Sequence, residues 1–514
     1  MRLDGLIAAA SSTEGELAGE AAGVEITGLA YDSRDVAPGD LFFCVSGFRT
    51  DGHDFAVEAV RAGAAALVVE RRLDLGVPEV LVESARAAMA PAAARFYGDP
   101  ARELRVVGVT GTNGKTTTTY LVRALLQADG LQCGMLGTVK SVIGGRERMV
   151  ARTTPEAIDL QADLRAMLDG GDRACAMEVS SHALELGRAD EIPFAAAVFT
   201  NLTQDHLDFH ADMEDYFQAK RRLFVPAAGP APAVSVVNVG DPYGRRLAAE
   251  LERVRTFAVD VPADYSATDV RCDFEGCCFT LQTPAGRHEL ALPMPGRFNV
   301  ANALGALAAA HALGAELEPL LAALECGVRV PGRFEPVDAG QEFAVLVDYA
   351  HTPDSLENVL RAARELVEPV QDGRVLCVFG AGGDRDRGKR PLMGAIAARL
   401  ADVAIVTSDN PRSEDPERII GEILDGVTGG GSAVGAFAGA GSPARAATGE
   451  VRAIADRQAA IEQAIASARH GDVVVIAGKG HEQGQEFADG RKLPFDDVAV
   501  ARAALQATQA ARAR

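Results

Sequence analysis

Val106–Thr119 reads VVGVTGTNGKTTTT, and the rest of the chain is organised around it. The β-branched run Arg105–Val109 predicts a buried strand. It breaks into Gly111, Thr112, Asn113 and Gly114, after which Lys115 and Thr116 open an apolar segment with helical spacing. A strand, a Gly-containing turn and a helix N-terminus together make a phosphate cradle, because backbone N–H groups and the helix dipole converge on the anion. In such a cradle Lys115 reaches the β- and γ-phosphates and the Thr116 hydroxyl sits on Mg²⁺. The strict pattern G-x-x-x-x-G-K-[ST] is not met, since Val109 stands at its first glycine. Read locally, an ordinary Gly turn between strand and helix stays open as the alternative.

Length and composition narrow the rest. At 514 residues the chain exceeds what one core fills, and about three domains are expected. Lys and Arg number 51 against 72 Asp and Glu, a formal charge of −21 that argues against unspecific binding to nucleic acid or an acidic membrane. An anionic substrate must then be held by local Arg, Lys, N–H groups and metal. The opening MRLDGLIAAASSTEGE is too short in its apolar patch and too acidic in its flank for a signal peptide. No apolar run approaches the roughly 18 residues of a membrane span. Eight cysteines lie scattered in apolar surroundings without a C-x-x-C pair, so buried reduced thiols and a cytoplasmic setting are expected.

Taken in order, the first 98 residues read as a small α/β unit with strands at Thr27–Tyr31, Leu41–Val45, Ala65–Val69 and Val80–Glu83. From Leu104 to about Val330, strands and helices alternate, which predicts a mostly parallel sheet with helices on both faces. Ala174–Val179 and Ala195–Thr200 are buried-strand runs that end in EVSSH and FTNLTQDHLDFH. Ligands of such sheets sit beyond the carboxyl ends of the strands. Glu178, Asn201, His206 and Asp208 fall there, and with Lys115 they favour a metal site for a nucleotide. Lys220 ends the helical segment MEDYFQAK and locally reads as a solvated charge. Cys272–Gln282 and Arg287–Leu292 predict a hairpin, and an Ala-rich helix follows, with Asn299 and Asn302 near a start where Asn usually caps. Val330–Glu335 reads as a linker. A third α/β unit follows, with strands Ala344–Asp348, Val375–Phe379, Val403–Thr407 and Val473–Ala477. Their polar ends predict a second binding face across a cleft from the first. Gly429–Gly441 reads as a surface loop.

GTNGKTTT, EVSSH, FTNLTQDHLDFH, the Lys220 segment, GRFNVANALGA, DYAHTPDSLE, GGDRDRGKRP, DNPRSE and AGKGHE follow one another in this order. The ordered set resembles the Mur ligase family, ATP-dependent amide-forming enzymes of peptidoglycan precursor synthesis, across essentially the whole chain. The resemblance implies an α/β fold of three domains. These are a small N-terminal UDP-sugar-binding α/β domain (1–98), a central P-loop ATPase domain with a mostly parallel sheet (99–332) and a C-terminal Rossmann-like amino-acid-binding domain (333–514). Within the family it points to the branch that adds meso-diaminopimelate to UDP-N-acetylmuramoyl-L-alanyl-D-glutamate, acting as a cytoplasmic monomer with ATP and Mg²⁺.

The same resemblance implies residue roles. Gly111, Thr112, Asn113, Gly114, Lys115, Thr116 and Thr117 would hold ATP. Asn302 would face the adenine, and Arg333 and Asp348 would reach the nucleotide from beyond the linker. Thr116 and Glu178 would serve one Mg²⁺, and His206 with a carbamylated Lys220 a second; Lys115, Glu178, His206 and Lys220 carry the chemistry. The nucleotide-sugar peptide would contact Ser33, Phe48, Arg49 and Thr50, then Thr153, Thr154, Ser180 and Arg188. Diaminopimelate would meet Arg385, Asp409, Asn410, Pro411 and Arg412, with Gly478 and Glu482. Two positions depart from the family pattern: Leu186 stands where glutamine is frequent and Arg152 where asparagine is common.

The implied reaction suits these groups. A D-glutamyl γ-carboxylate attacks the γ-phosphate of ATP, the acyl phosphate is taken by an amine, and phosphate leaves. Arg412 can pair bidentately with the distal carboxylate that diaminopimelate has and lysine lacks. A lysine-adding relative, a folylpolyglutamate synthase and a non-catalytic nucleotide-binding module are the alternatives. The DNPR motif, the N-terminal unit, and the retained Glu178, His206 and Lys220 weigh against them in turn.

Overall fold

The computed structural model describes residues 1–10, 16–17, 23–47, 50–150, 152–207, 209–227, 229–368, 370, 372–428 and 449–512. Phe48, Arg49, Asp208 and the Gly429–Gly441 stretch lie outside the described residues.

The strand predicted from Arg105 forms over Arg105–Thr110 and sits inside an eleven-stranded sheet. Ala196–Phe199 and Ala174–Glu178 flank it, both parallel to it. Parallel pairing extends outward to Cys133–Leu136 on one side and, through Ser235–Asn238 and Val254–Val259, to Tyr265–Cys272 on the other. Antiparallel hairpins close both ends. The central strands are buried on both faces, which is why they read as continuous apolar runs without alternation.

One face is covered by the helices Lys115–Ala128 and Arg297–Ala312, the other by Ala157–Asp169 and Met213–Arg221. Arg297–Ala312 is apolar nearly all round because it lies between the phosphate-loop helix and the sheet. Its closest approach is at Gly305, where an added Cβ would lie 2.9 Å from the Phe257 ring. Neither asparagine caps this helix: Gly296, at φ 94°, is the N-cap, and Asn299 donates to the Pro295 carbonyl at 2.8 Å.

The N-terminal sheet has five strands, in the order Glu16–Leu17, Glu79–Leu81, Ala66–Val69, Asp40–Phe43, Gly28–Ala30. The last four are the predicted ones, shifted by a residue or two. The C-terminal sheet orders Glu335–Pro336, Ala344–Asp348, Val473–Ala477, Val375–Phe379, Val403–Val406 and Glu450–Ala453.

Three expectations change. The predicted strand Cys272–Gln282 is interrupted by a turn, because the Asp273 carboxylate accepts from the N–H groups of Glu275 and Gly276, and the strand starts at Cys277. That turn places Cys272 opposite Cys277, and the two form a disulfide, so the expectation of reduced thiols fails for this pair. Cys44, Cys133, Cys175 and Cys377 are buried free thiols as read, whereas Cys278 and Cys326 are exposed. The linker is not loose: Phe334 is buried against Phe298, and Glu335–Pro336 adds an edge strand to the third sheet.

Candidate active site

The phosphate loop owes its shape to two glycines with left-handed φ, Gly111 at 147° and Gly114 at 84°. A Cβ on Gly111 would collide with the Thr200 hydroxyl, and one on Gly114 with the Asn302 amide oxygen. No larger residue fits either place. The Asn113 N–H donates to Asn201 Oδ1 at 2.9 Å, and the Thr200 hydroxyl donates to the Asn113 carbonyl at 2.6 Å. The loop is therefore pinned by the end of the neighbouring strand, as the strand-end reading expected. Lys115 Nζ donates to the carbonyls of Gly111 at 2.9 Å and Thr112 at 2.8 Å. Burial lowers its pKa, opposed by the charges of Glu178 and Asp205.

Glu178 ends its strand 1% exposed. Its carboxylate accepts from the Thr138 N–H at 2.7 Å, the Thr138 hydroxyl at 3.0 Å and the Thr116 hydroxyl at 3.1 Å. His206 adopts φ 55° and sets its ring edge-on to His182, centroids 4.9 Å apart. Burial pushes the His206 pKa down to about 4, against the pull of Asp205, 3.3 Å away. The imidazole is neutral at pH 7 and has a lone pair to give.

Lys220 is the residue whose local reading was wrong. It is 1% exposed, not solvated. Its Nζ donates to the Gly111 carbonyl at 2.8 Å and lies 4.5 Å from the Tyr216 ring centroid. Among the described residues no carboxylate stands within ion-pair distance of it. Burial first and the charge of Lys115 second hold its pKa well below the usual lysine range.

The third sheet closes the cleft. Arg333 Nη2 donates to the Thr116 hydroxyl at 3.0 Å, and its guanidinium lies over the Tyr349 ring at 4.5 Å. Asp348 accepts from the N–H groups of Phe334 at 2.6 Å and Ala350 at 2.8 Å, and burial raises its pKa to about 6. The result is a cavity of about 760 Å³. Thr112–Thr117, Glu178, His206, Lys220, Asn302, Arg333 and Asp348 all line it, and so do Thr153, Thr154, Ser180, Arg188 and Arg385.

The remaining predicted residues fall elsewhere. Ser33, with its hydroxyl on Glu58 at 3.2 Å, and Thr50 belong to the N-terminal unit and do not line this cavity. Asp409, Asn410, Pro411, Arg412, Gly478 and Glu482 gather at the strand ends of the third sheet. There Asn410 donates to Glu482 at 2.8 Å, and Lys479 Nζ donates to both Asn410 and Glu482 at 2.9 Å.

The two departing residues line the cavity as well. Arg152 donates to Glu156 at 3.0 Å, a carboxylate also paired with Arg188 at 2.7 Å and Arg86 at 3.2 Å. Sequence reasoning missed Thr138, Asp205, Lys479 and Asp354. Asp354 Oδ2 accepts from Asn113 Nδ2 at 2.6 Å and the Thr203 hydroxyl at 2.9 Å, tying the third unit to the phosphate loop. Its signal was present in DYAHTPDS; Thr138 has the weaker one of following a strand end. Lys479 stands within a quoted motif, but its burial is tertiary information.

A nucleotide cradle, closed by a cation-bearing face of a second α/β unit, is the layout of an ATP-dependent ligase. Family models agree along the chain. The Mur ligase family catalytic domain matches residues 25–99, the Mur ligase middle domain 109–310, and the Mur ligase glutamate ligase domain 332–480. Among curated relatives is the UDP-N-acetylmuramoyl-L-alanyl-D-glutamate–2,6-diaminopimelate ligase of Syntrophomonas wolfei, 45% identical over 93% of this chain and 94% of that one. The protein of the same name from Geobacillus kaustophilus is 47% identical over 94% and 95%. A solved structure bearing that ligase's name superposes with TM-score 0.66 at 33% identity, covering 96% of this chain and 97% of the other. The chain belongs to the Mur ligase family and is an ATP-dependent acid–amino-acid ligase.

Proposed function

We propose that this chain adds meso-2,6-diaminopimelate to the D-glutamyl γ-carboxylate of UDP-N-acetylmuramoyl-L-alanyl-D-glutamate, giving ADP and phosphate, in peptidoglycan precursor synthesis. The observation that carries the reading is one cleft where the phosphate loop, Glu178, His206 and Lys220 face Arg333 and Arg385 of the third unit. The names of relatives at 45% and 47% identity support the substrates. Such substrates place the protein in the cytoplasm. One chain furnishes all of these groups, which favours a monomer.

The roles are assigned on the layout of the cleft and the likeness to the family. Residues 1–98 and the Thr153, Thr154, Ser180 and Arg188 wall hold the nucleotide-sugar peptide, 99–332 hold ATP, and 333–514 bring the amino acid. Lys115 swings from its own loop carbonyls to the β- and γ-phosphates, Asn302 faces the adenine, and Arg333 reaches the nucleotide from beyond the linker. The γ-carboxylate of the peptide attacks the γ-phosphate in line; Lys115, Arg333 and the loop N–H groups stabilise the charge that builds on the transferring phosphoryl. The amine of diaminopimelate then attacks the acyl carbon, and phosphate departs.

Mg²⁺ fits this donor set in part. Among the described residues no group of three or more His, Cys, Asp or Glu side chains is placed to hold a metal ion. The donors would include the Thr116 hydroxyl and, on carbamylation, the oxygens of Lys220. Thr116 with Glu178, and neutral His206 with carbamylated Lys220, are the residues that would hold two ions. When bound, Mg²⁺ neutralises phosphate charge and aligns the attacking oxygen.

Arg385, Asp409, Asn410, Pro411, Arg412, Gly478 and Glu482 form the amino-acid site, with Arg412 taking the distal carboxylate. The test is phosphate release by the purified protein with ATP, Mg²⁺ and the nucleotide-sugar dipeptide, in the presence of meso-diaminopimelate, L-lysine or neither. Release that depends on diaminopimelate, with tripeptide product by mass, is expected. Release with lysine instead overturns the assignment of Arg412, and release with neither overturns the proposed acceptor.

A further inference from the structure

Arg412 does not stand as an uncommitted cation. Its backbone is left-handed, at φ 50°, and its N–H donates to the Glu486 carbonyl at 3.0 Å, so a short hairpin holds it in place. The same hairpin grips the preceding loop, with the Glu486 N–H on Asn410 Oδ1 at 3.0 Å and Gln485 Nε2 on the Asp409 carbonyl at 2.7 Å. The backbone thus already fixes the residue. The side chain makes two further contacts: Nε donates to Glu486 Oε2 at 3.1 Å, and Nη1 donates to the Gly383 carbonyl at 2.8 Å. Arg412 and Glu486 are 22% and 32% exposed at their side chains, so their attraction is only partly screened. Among the described residues nothing accepts from Nη2. The Nη edge is therefore the side from which a carboxylate can be taken.

We propose that Glu486 is a specificity-setting residue, a built-in counter-ion that satisfies Arg412 from the Nε side and so sets how strongly the site discriminates between amino acids with and without a distal carboxylate. This rests on the reading of Arg412 as the partner of that carboxylate. The chemistry is a competition. When diaminopimelate binds, its carboxylate shares a guanidinium with Glu486, and two like charges come close together. When lysine binds, Glu486 still partners Arg412, so the guanidinium is not left unpaired and the penalty against lysine is reduced. Glu486 therefore weakens diaminopimelate binding and softens the rejection of lysine, two effects with the same sign on selectivity.

The expected result for Glu486→Gln is a lower KM for diaminopimelate and a higher one for lysine. The ratio of their kcat/KM values rises about 1.5- to fivefold, the range expected when a partly exposed charge pair is removed. The KM for ATP, bound in the other cleft, serves as the check that the fold is intact. Three proteins are compared with both amino acids: Glu486→Gln, Arg412→Ala and the double variant. In the Arg412→Ala background Glu486→Gln should move the ratio much less, because only the repulsion between the two carboxylates remains to be relieved. If Arg412→Ala lowers diaminopimelate selectivity while Glu486→Gln leaves the ratio unchanged or lowers it, the inference about Glu486 is overturned and the reading of Arg412 stands. If Arg412→Ala leaves diaminopimelate kinetics unchanged, the reading of Arg412 itself falls. A Glu486→Gln effect that persists in full without Arg412 likewise overturns the counter-ion role.

Discussion

Asp354→Ala should loosen the third unit from the phosphate loop. The Asp354 carboxylate stands at the start of the helix Pro353–Val367, where the dipole favours it, and one oxygen receives Asn113 Nδ2 at 2.6 Å and the Thr203 hydroxyl at 2.9 Å. Both donors belong to the ATP-bearing unit. A hydrogen bond to a charged group contributes about 1.5–3 kcal/mol. Part of this is recovered in the variant, since Asn113 Nδ2 also lies 3.4 Å from the Thr203 hydroxyl and water can reach the rest. The net loss is about 2–4 kcal/mol of docking free energy, roughly 30- to 1,000-fold in the docking equilibrium. We therefore expect kcat/KM for ATP to fall at least about 30-fold and the radius of gyration by small-angle scattering to rise. Binding of the nucleotide-sugar peptide, held by the other two units, should be little changed. Asp354→Asn, which keeps an acceptor but loses the charge, should fall between. The decisive measurement is a double-mutant cycle with Asn113→Ala: a coupling of about 1.5 kcal/mol or more is expected for groups in direct contact. Additive effects, or an Asp354→Ala enzyme with unaltered scattering and kinetics, would refute the latch.

Three other outcomes are expected. Lys220→Ala should lower turnover about 100-fold or more, because an oxygen donor worth several kcal/mol of charge stabilisation is lost. Intact-protein mass with and without CO₂ and Mg²⁺ should show a CO₂ adduct on the parent that the variant lacks, and a parent without adduct under all conditions would remove the carbamate from the site. Gly478→Ala should lose amino-acid use while keeping ATP binding: φ is 116°, and the new Cβ would lie 2.5 Å from Asp409 Oδ2. Unchanged KM for diaminopimelate would contradict that geometry. Asp163→Asn should stabilise the protein at neutral pH. Burial raises the Asp163 pKa from 3.8 to about 6, so its stabilising contribution is present below about pH 4 and lost as pH climbs through 6. At about 1.4 kcal/mol per pH unit the ceiling is about 3 kcal/mol. With the side chain 26% exposed we expect about 1–2 kcal/mol of gain at pH 7 and none at pH 4, read by denaturant midpoints.

The parts of the structure legible in the sequence were those governed by neighbours in the chain. Arg105–Thr110 announced itself through β-branched residues and the glycines that follow, and the strand-end rule found Glu178, Asn201 and His206. What the sequence could not show was where a side chain goes after the chain folds. Lys220 lies on a helix with both exposed and buried positions, and only the packing of that helix against the phosphate loop turns its ammonium inward. Asp354 was missed because its bonds to Asn113 and Thr203 span sequence separations of 241 and 151. The interrupted strand at Cys272 failed for a smaller reason. An Asp side chain capping two N–H groups outweighed the apolar pattern around it.

Charge ties the parts of the cleft together. A protein of formal charge −21 must hold a nucleotide triphosphate and a nucleotide-sugar peptide. The cavity lining answers with Lys115, Arg152, Arg188, Lys220, Arg333 and Arg385 against Glu178, Asp205 and Asp348, six cationic side chains and three acidic ones. Burial holds the Lys220 pKa well below the usual lysine range and pushes that of His206 down to about 4. These basic side chains face three carboxylates and the substrates' phosphates. Carbamylation of Lys220 would add a fourth anion beside the phosphate loop, which is unfavourable unless positive charge arrives with it. A divalent cation would supply that charge. Carbamate formation and metal binding therefore favour each other by linkage, and neither is expected to be complete without the other. The contact of Lys220 with the Gly111 carbonyl places the amine beside the phosphate loop, where such a pair would form.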